Sequence, residues 1–396
     1  MAVLARGRHR SRPADLLLIA LPAYVGLQLI PLPVGWLRVL SPARASLEAA
    51  LAPVGLGSVR APLSASPALT TAHLMRLLCY VAFYFLIREL SRRFASRIWI
   101  MAWPVLAVGA AEAALGLVQL STGSRAAGGT FVNPNHFACF LEMALPFPLA
   151  MAAIPARRGH DSHRESVTRA LMRCALIAVA ALVFLGALYS LSRMSLASIL
   201  ASLAVLAILI PVARGGLRKA GRGFGYLSAA GLIVALGLAM FVSAPGALLE
   251  RLSPSGSQDP VTADARIAIW RETIPMTADY RVFGSGLGTY ISVFQKYRGS
   301  APQYLVDYAH NDYLQLLAEL GIAGFVIAAA AAVLILLRIG RSVVVAETAA
   351  GRLLACACAA ALAALMLSSA VDFDFYIPAN AMLGAWIAGM GAGNEC

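Results

Sequence analysis

The chain has 396 residues, of which 60% are hydrophobic and 13% are charged, against about 25% charged residues in an ordinary soluble domain. A soluble core cannot remove that much apolar surface from water, so lipid must be the solvent for most of it. The formal net charge of +13 would suit a nucleic-acid-binding protein, but the placement of that charge argues against this class. The six cysteines form no CxxC pair, and the sequence therefore indicates neither a zinc site nor a disulfide framework.

Ten apolar runs are close to the length of roughly 20 residues that a helix needs to cross the hydrocarbon core. They predict an all-α polytopic membrane protein with about ten transmembrane helices, within a range of about 10–12. The predicted spans are 15–33, 72–89, 98–120, 136–155, 174–191, 194–213, 223–243, 312–337, 353–371 and 377–393.

Positive charge predicts how these spans are oriented. If the N-terminus is cytoplasmic, every second loop is basic, and these loops hold 20 of the 32 Lys and Arg residues. The basic clusters lie at 6–12, 88–97, 157–173, 214–222 and 338–352. This is the positive-inside pattern. We therefore expect a multi-pass membrane protein with both termini in the cytoplasm, and we interpret the net charge as a topology signal.

The loops on the outer side are longer and richer in Gly, Pro, Asn and Ser than the basic loops. They cover 34–71, 121–135 and 244–311, and the last of them is a large outer loop between the seventh and eighth spans. Long loops of this kind usually carry function. We therefore expect the active site on the outer face.

The large loop contains a stretch typical of a helix, residues 264–278. Asp264 is a plausible N-cap, and Ile267, Trp270 and Ile274 fall on one face of the predicted helix. An apolar face with a tryptophan suits the membrane surface. We expect this face to lie there, with Trp270 at the level of the headgroups.

Two isolated arginines on the outer side are candidates for anion binding. Arg193 lies at the outer mouth of the sixth span, where it is either a snorkelling interfacial residue or an anion clamp facing the bundle. Arg266 lies in the first turn of the predicted loop helix, where the helix dipole disfavours a cation. It is either a solvated charge or a partner for an anion nearby.

His310 precedes an apolar helix with a polar stripe. Asp312, Gln315 and Glu319 fall at i, i+3 and i+7, and such stripes face the bundle or a water-filled cavity. Asn311 or Asp312 can cap this helix, and a helix N-terminus attracts phosphate. A neutral imidazole at this place can take a proton from a hydroxyl near neutral pH. The alternative is a structural or solvated histidine.

Two further segments are polar at the predicted outer face. GGTFVNPNHFACF contains a turn, Asn133-Pro134-Asn135, and His136 begins the helix that follows. Near the end of the chain, Asp372 and Asp374 stand at an outer helix end. They either neutralise one of the arginines or are solvated acids, and their spacing does not make a metal site the preferred interpretation.

Four motifs in this pattern resemble the O-antigen ligase and polymerase superfamily of bacterial envelope glycan enzymes. They are GGTFVNPNHFA at 128–138, SRMSLAS at 192–198, RIAIW with GSGLGTY within 266–290, and AHNDYLQLLAELGIAG at 309–324. The resemblance runs from about 97 to 393. It divides the chain into an N-terminal membrane region of two helices, 1–96, which matches poorly, and a ligase-like membrane domain, 97–393, that includes the loop 244–311. Family members often have about twelve membrane helices, and the shortfall lies in the first region.

The resemblance implies a multi-helix membrane glycosyltransferase architecture of the GT-C type, with no cofactor and no metal. Such enzymes lie in the bacterial inner membrane, with the large loop and the active site on the periplasmic side. They move a glycan from a polyprenyl diphosphate to an acceptor hydroxyl, with inversion, at that face. The acceptor is lipid A–core for a ligase and another lipid-linked glycan for a polymerase. By the motif match His310 takes the place of the essential histidine, and Arg193 and Arg266 take the places of the arginines that hold the diphosphate. Further substrate contacts are expected at Arg125, Arg281, Asn135, Asn311 and Asp312.

Other functions stay open at this point. A transporter or flippase of lipid-linked glycan would concentrate its polar residues near the membrane midplane, often in paired repeats. In this chain the polar residues concentrate at the predicted outer face and no internal repeat is visible. A protein O-oligosaccharyltransferase would differ only in its acceptor, and a scaffold without chemistry would tolerate replacement of the candidate residues.

Overall fold

The computed structural model describes residues 12–55, 57–155, 163–215, 263–299 and 305–394. This part of the chain is almost entirely helical, with one antiparallel pair of two-residue strands. The helices are α1 (Arg12–Leu27), α2 (Val34–Leu40), α3 (Pro42–Leu51), α4 (Pro67–Arg93), α5 (Trp103–Ser121), α6 (Pro134–Ala144), α7 (Pro146–Ala152), α8 (His163–Tyr189), α9 (Arg193–Ala213), α10 (Ala263–Asp279), α11 (Tyr290–Val293), α12 (Asp312–Val345), α13 (Ala349–Ser368) and α14 (Pro378–Gly393). The strands are β1 (Leu32–Pro33) and β2 (Arg60–Ala61).

Six helices in the described residues are long and apolar enough to cross a membrane. They are Pro67–Arg93, Ala95–Ser121, Arg164–Tyr189, Arg193–Ala213, Asp312–Val345 and Ala349–Ser368. Each contains or overlaps one of the predicted spans, which confirms that the chain is a helical membrane protein. The predicted span 223–243 lies outside the described residues.

Three predicted spans coincide with shorter helices. The first, 15–33, ends early as α1, and the last corresponds to α14 with 16 residues. The span 136–155 is divided into α6 and α7 at Leu145, because Pro146 has no N–H to donate to the carbonyl of residue 142. Both pieces are largely buried in protein. The count of ten transmembrane helices therefore stays a prediction.

The chain forms two compact units. The first comprises Met1–Ala82, Pro260–Ile335 and Ser369–Tyr376. Its β1–β2 pair closes the loop that carries α2 and α3. Its core lies under the loop helix α10 and contains Ile269, Met276, Tyr280, Tyr290, Val293, Phe294, Val306, Ala309 and Ala318.

The helix predicted at 264–278 is confirmed as α10, and the face of it that packs into the protein is the one opposite the predicted membrane face. Ile269, Thr273 and Met276 are the buried positions, spaced i, i+4 and i+7. Ile267 and Ile274, on the face that we expected at the membrane surface, are exposed. Trp270 is half-buried and its indole contacts protein, as described below.

The second unit comprises Phe83–Asp259, Leu336–Ser368 and Ile377–Cys396. Here α9 packs along α13, and α8 packs against α5, α6 and α7. The buried face of α13 carries small residues such as Ala357 and Cys358, which let neighbouring helices approach closely. A side chain at Gly186 of α8 would meet Ala113 of α5 and Leu141 of α6.

Candidate active site

His310 lies in a tight turn at the start of α12. Its backbone φ of 49° is in the left-handed region, which is uncommon for a residue other than glycine and is enriched at functional sites. Asn311 follows as the cap, and its Oδ1 accepts a hydrogen bond from the Leu314 amide at 3.0 Å. Of the two predicted capping residues, Asn311 is therefore confirmed. The turn leaves the His310 side chain 8% exposed.

Asp372 lies between His310 and Arg266, two of the predicted site residues. Its Oδ1 is 3.4 Å from His310 Nδ1, and its Oδ2 is 3.8 Å from Arg266 Nη2. Asp372 is 4% exposed, so both contacts are shielded from bulk water and weakly screened. This confirms the first of the two interpretations of Asp372, because its carboxylate balances the charge of Arg266. The structure thus brings His310 and Arg266 to one carboxylate, although 44 positions separate them in sequence.

The turn that carries Asp372 is bound to the N-terminus of α12. The Asp312 amide donates to the carbonyls of Ser369, at 2.9 Å, and Asp372, at 3.1 Å. The Asp312 carboxylate in return accepts from the Phe375 amide at 2.9 Å. These bonds use an amide of the first turn of α12, which has no acceptor inside the helix. Asp312, which we expected to contact substrate, is fully buried and fixes the position of the Asp372 turn.

Aromatic side chains contact the turn that carries His310. Phe373 packs edge-on against it with ring centroids 5.0 Å apart, and stacks on Tyr308 at 4.1 Å. From the loop helix, Trp270 Nε1 donates to the carbonyls of Ala309, at 2.9 Å, and His310, at 3.3 Å. Trp270 therefore holds the histidine turn, and its expected place at the level of the headgroups stays a prediction. The rings restrict the imidazole on one side and lower the local dielectric.

The polar stripe of α12 is buried against protein groups. Gln315 Oε1 accepts from the Ala309 amide at 2.9 Å, so this residue also fixes the histidine turn. Glu319 accepts from the amides of Gly288, at 2.7 Å, and Tyr290, at 2.9 Å, and from the Tyr376 hydroxyl at 2.6 Å. Burial, and then the nearby Glu319 carboxylate, raise the pKa of Tyr376 well above its ordinary value, so its hydroxyl remains a donor.

The helix α12 is broken at Gly321, and the GSGLG segment docks into the break. Gly321 has φ 64° and ψ −177°, which interrupts the helical hydrogen bonds. The amides of Ser285 and Gly286 donate to the carbonyls of residues 318 and 319, each at 3.0 Å. The amides of residues 322 and 323 donate to the carbonyls of residues 281 and 282 at 2.8 and 3.1 Å. A broken membrane helix is tolerated where protein satisfies its backbone in this way.

The GSGLG segment requires glycine at three positions in this contact. Gly284, Gly286 and Gly288 all have φ between 75° and 109°, a region that residues with a Cβ rarely adopt. A Cβ at Gly288 would overlap the His73 ring, and one at Gly284 would overlap the Glu319 carbonyl. The spacing of the GSGLG motif thus follows from the close approach of its backbone to α4 and α12.

The second unit contains the other motifs. The turn Asn133-Pro134-Asn135 is confirmed, with Asn133 as the N-cap of α6 and the Asn135 amide donating to its Oδ1 at 2.9 Å. The helix begins at Pro134, two residues before His136. The preceding Thr130 is held by Glu112, which accepts from its amide at 2.9 Å and its hydroxyl at 2.7 Å.

The two arginines expected to act from this unit are exposed. Arg125 lies in the turn that leads to the GGTF segment, and Arg193 is the first residue of α9. Ser192 caps this helix, accepting from the Ser195 amide at 3.4 Å. Because Arg193 belongs to the second unit and His310 to the first, their shared site stays a prediction.

The class of protein that emerges is a helical membrane protein with a buried His–Asp–Arg cluster in its loop-bearing unit. Residues 178–329 match the family model for O-antigen ligase. This match confirms the resemblance to that family drawn from the motifs. This match includes Arg193, Arg266 and His310, whereas Asp372 lies beyond it. A comparison with curated proteins gives no match.

Proposed function

We propose that this protein transfers a glycan from a polyprenyl diphosphate to an acceptor hydroxyl at the periplasmic face, without a metal ion. The observation that supports this most strongly is the cluster of His310, Asp372 and Arg266, which places a base and a cation on either side of one buried carboxylate. The O-antigen ligase match supports glycosyl transfer of this general type. Donor, acceptor and mechanism are parts of the proposal.

In the proposed reaction His310 accepts the proton of the acceptor hydroxyl. Its Nδ1 faces Asp372 at 3.4 Å, which favours the tautomer with the proton on Nδ1 and leaves Nε2 as the acceptor. The two atoms are not aligned as a hydrogen bond, and contacts of this kind commonly tighten when substrate binds. The Trp270 and Gln315 hydrogen bonds to the histidine turn fix where the imidazole stands.

The bond changes of this step balance without a further reactant. The acceptor oxygen forms a bond to the anomeric carbon while the bond from that carbon to the diphosphate oxygen breaks. The electron pair stays on the diphosphate, and the acceptor proton passes to His310. A single displacement of this kind inverts the anomeric configuration.

Arginine is the proposed stabiliser of the leaving diphosphate. Charge develops on that group in the transition state, and fixed cations placed there lower the barrier. A guanidinium pairs bidentately with phosphate oxygens, as lysine does not. Arg266 is held beside Asp372 by its ion pair, and we propose that Arg193 contributes from α9. Arg125, Asn135 and Asn311 are proposed to contact the substrates around this centre.

The test is a transfer assay with purified protein, a polyprenyl-diphosphate glycan donor and two acceptors, lipid A–core and a second lipid-linked glycan. Wild type with and without EDTA is compared with His310→Ala and Arg266→Lys. Arg298→Lys is the matched control, because Arg298 lies in the same loop and its Nη1 contacts Gln295 Oε1 at 3.5 Å.

We expect EDTA to leave transfer unchanged, and both site variants to lower kcat by about 10²–10⁴-fold, the usual contribution of a general base or a transition-state donor. Arg298→Lys should retain activity. The acceptor that is consumed distinguishes ligase from polymerase. Full activity in His310→Ala, or loss of activity in EDTA, would refute the proposed mechanism. Movement of the donor across the membrane without cleavage would identify a transporter.

A further inference from the structure

The segment between α1 and α4 folds into a small helical hairpin. This α2–α3 hairpin contains α2 and α3 and is closed by the strand pair β1–β2. Residues 28–31 connect it to α1, an apolar helix, and residues 62–66 connect it to α4, which is long and apolar enough to cross a membrane. An extended chain advances at most about 3.6 Å per residue. The hairpin is therefore tethered close to the end of a membrane span.

The hairpin buries an ion pair. Arg44 Nη2 lies 2.6 Å from Glu48 Oε1, and the two residues are 4% and 7% exposed. Arg44 Nε donates to the Ser64 carbonyl at 3.1 Å, and Glu48 Oε2 accepts from the Ser58 amide at 3.2 Å. Withdrawing two charges from water carries a desolvation cost that their mutual attraction must offset. Two of the four charged residues in 34–60 are nevertheless hidden in this way.

The same hairpin exposes large apolar side chains. Trp36 is 63% exposed, Val39 81% and Val59 87%. Trp36 and Val39 lie on one face of α2, because they are three residues apart, whereas Leu37 is buried in the core of the hairpin. The Val34 amide donates to the Val59 carbonyl at 3.1 Å, so Val59 lies beside the start of α2. We call Trp36, Val39 and Val59 the α2 patch.

This distribution is the reverse of the one expected for a segment that faces water. Water leaves charged side chains at the surface and drives large apolar ones inside, whereas lipid favours exposed apolar groups and hidden charges. The remaining charges of the hairpin, Arg38 and Arg60, are exposed and flank the patch residues in sequence. A tryptophan and aliphatic side chains next to arginines are typical of the boundary between lipid headgroups and acyl chains.

We propose that the α2 patch is inserted into the surface of the phospholipid bilayer. Its three side chains then lie among the upper parts of the acyl chains. The guanidinium groups of Arg38 and Arg60 lie at the level of the lipid phosphates, as arginines do when only their stems are in an apolar environment. The partner is the bilayer itself, because the tether to α4 keeps the patch at its surface. This proposal does not rest on glycan transfer.

The hairpin connects the α2 patch to the GSGLG segment. Its core packs against Phe283, which directly precedes that segment, and the Ala65 amide donates to the Ser285 carbonyl at 2.7 Å. Val39 and Phe283 also line one open cavity together with Arg281, which is exposed and whose expected contact with substrate stays a prediction. A hairpin anchored in the bilayer surface would therefore fix the depth of the GSGLG segment relative to the lipid.

The experiment measures the surroundings of a nitroxide spin label on full-length protein in phosphatidylcholine nanodiscs. The label is attached to Val39→Cys or Val59→Cys. Leu78→Cys, at an exposed position of the α4 span, is the lipid reference, and Asp307→Cys, exposed in the large loop, is the water reference. The other described cysteines are buried once three are replaced by alanine: Cys79, Cys174 and Cys396. Power-saturation EPR gives the collision rates of each label with oxygen, which concentrates in hydrocarbon, and with a nickel chelate, which stays in water.

We expect the ratio of oxygen to nickel collision rates at positions 39 and 59 to exceed that at 307 by about fivefold, because an interfacial side chain lies about 5–10 Å into the headgroup and acyl boundary. Position 78 should give the highest ratio. A ratio at 39 and 59 equal to that at 307 would place the patch in water and overturn the proposal. Low collision rates with both reagents would show that protein covers the patch and would overturn it equally. The two labels report separately, so one of them suffices if the other variant does not fold.

Discussion

Replacing Glu319 by glutamine should release the GSGLG segment from α12. The Glu319 carboxylate uses one oxygen for the Gly288 amide and the Tyr376 hydroxyl, and the other for the Tyr290 amide and the Gln315 side chain. Glutamine has nearly the same shape but only one acceptor oxygen. Its NH₂ group would face donors that it cannot bond. At least one buried donor would therefore be left without an acceptor.

The size of the effect follows from these contacts. A hydrogen bond to a charged group contributes about 1.5–3 kcal/mol, and a buried donor left unpaired costs about 1–3 kcal/mol. We therefore expect the local stability of the GSGLG segment to fall by at least about 2 kcal/mol. This loss makes local opening of the segment roughly 30-fold more frequent. Because the amides of Gly288 and Tyr290 donate directly to Glu319, their hydrogen exchange should accelerate by about that factor.

The measurement is hydrogen–deuterium exchange by mass spectrometry on a peptide that covers 284–290. The control is Glu89→Gln, because Glu89 is exposed and its carboxylate accepts from Arg93 Nε at 3.0 Å. An exposed pair of this spacing contributes only about 0.3–0.5 kcal/mol. Unchanged exchange in folded Glu319→Gln protein would refute the argument that this carboxylate holds the loop. Equal acceleration in both variants would show a global effect instead.

Three further predictions concern the same unit. Asp372→Asn removes the carboxylate that faces the base and should lower kcat about 100-fold with little change in KM, whereas Asp307→Asn, at an exposed position, should not. Gly321→Ala places a Cβ on a residue with positive φ and should lower the free energy of unfolding by about 1–3 kcal/mol. The control is Gly340→Ala: no atom lies near that position, so alanine should stabilise the helix or leave its stability unchanged. Trp270→Phe loses the bond to the histidine turn and should cost about 1 kcal/mol, seen as faster hydrogen exchange at 309–311.

Much of the helical framework could be predicted from the sequence, because it depends on local properties. Six of the predicted spans coincide with helices long enough to cross a membrane, since length and hydropathy determine a span. The helix at 264–278, the turn at 133–135 and the cap at Asn311 follow from short patterns. The family motifs likewise indicated the O-antigen ligase family, whose model matches residues 178–329.

The candidate site was only partly predictable. His310 and Arg266 were singled out as isolated charges on the outer side, but the sequence left Asp372 equally able to be a solvated acid. Its position between them depends on the bonds of Asp312 to the turn 369–376. The bonds of Trp270 to the histidine turn were not predicted, because an apolar stripe does not show which carbonyls its tryptophan will meet. The feature of the sequence that pointed to Asp372 was its predicted place at the outer end of a helix.

The sequence by itself determined which segments are long and apolar enough to enter the membrane and where a helix such as α10 lies, because both depend on neighbouring residues. The glycines of the GSGLG segment, in contrast, are required by its close approach to α4 and α12. Only the tertiary structure decided which side chains meet. It brought Asp372 to His310 and Arg266, and it placed Glu319 beneath the GSGLG segment. These are contacts between residues far apart in the chain. No local period encodes them, since they arise when whole helices and loops pack to satisfy their buried polar groups.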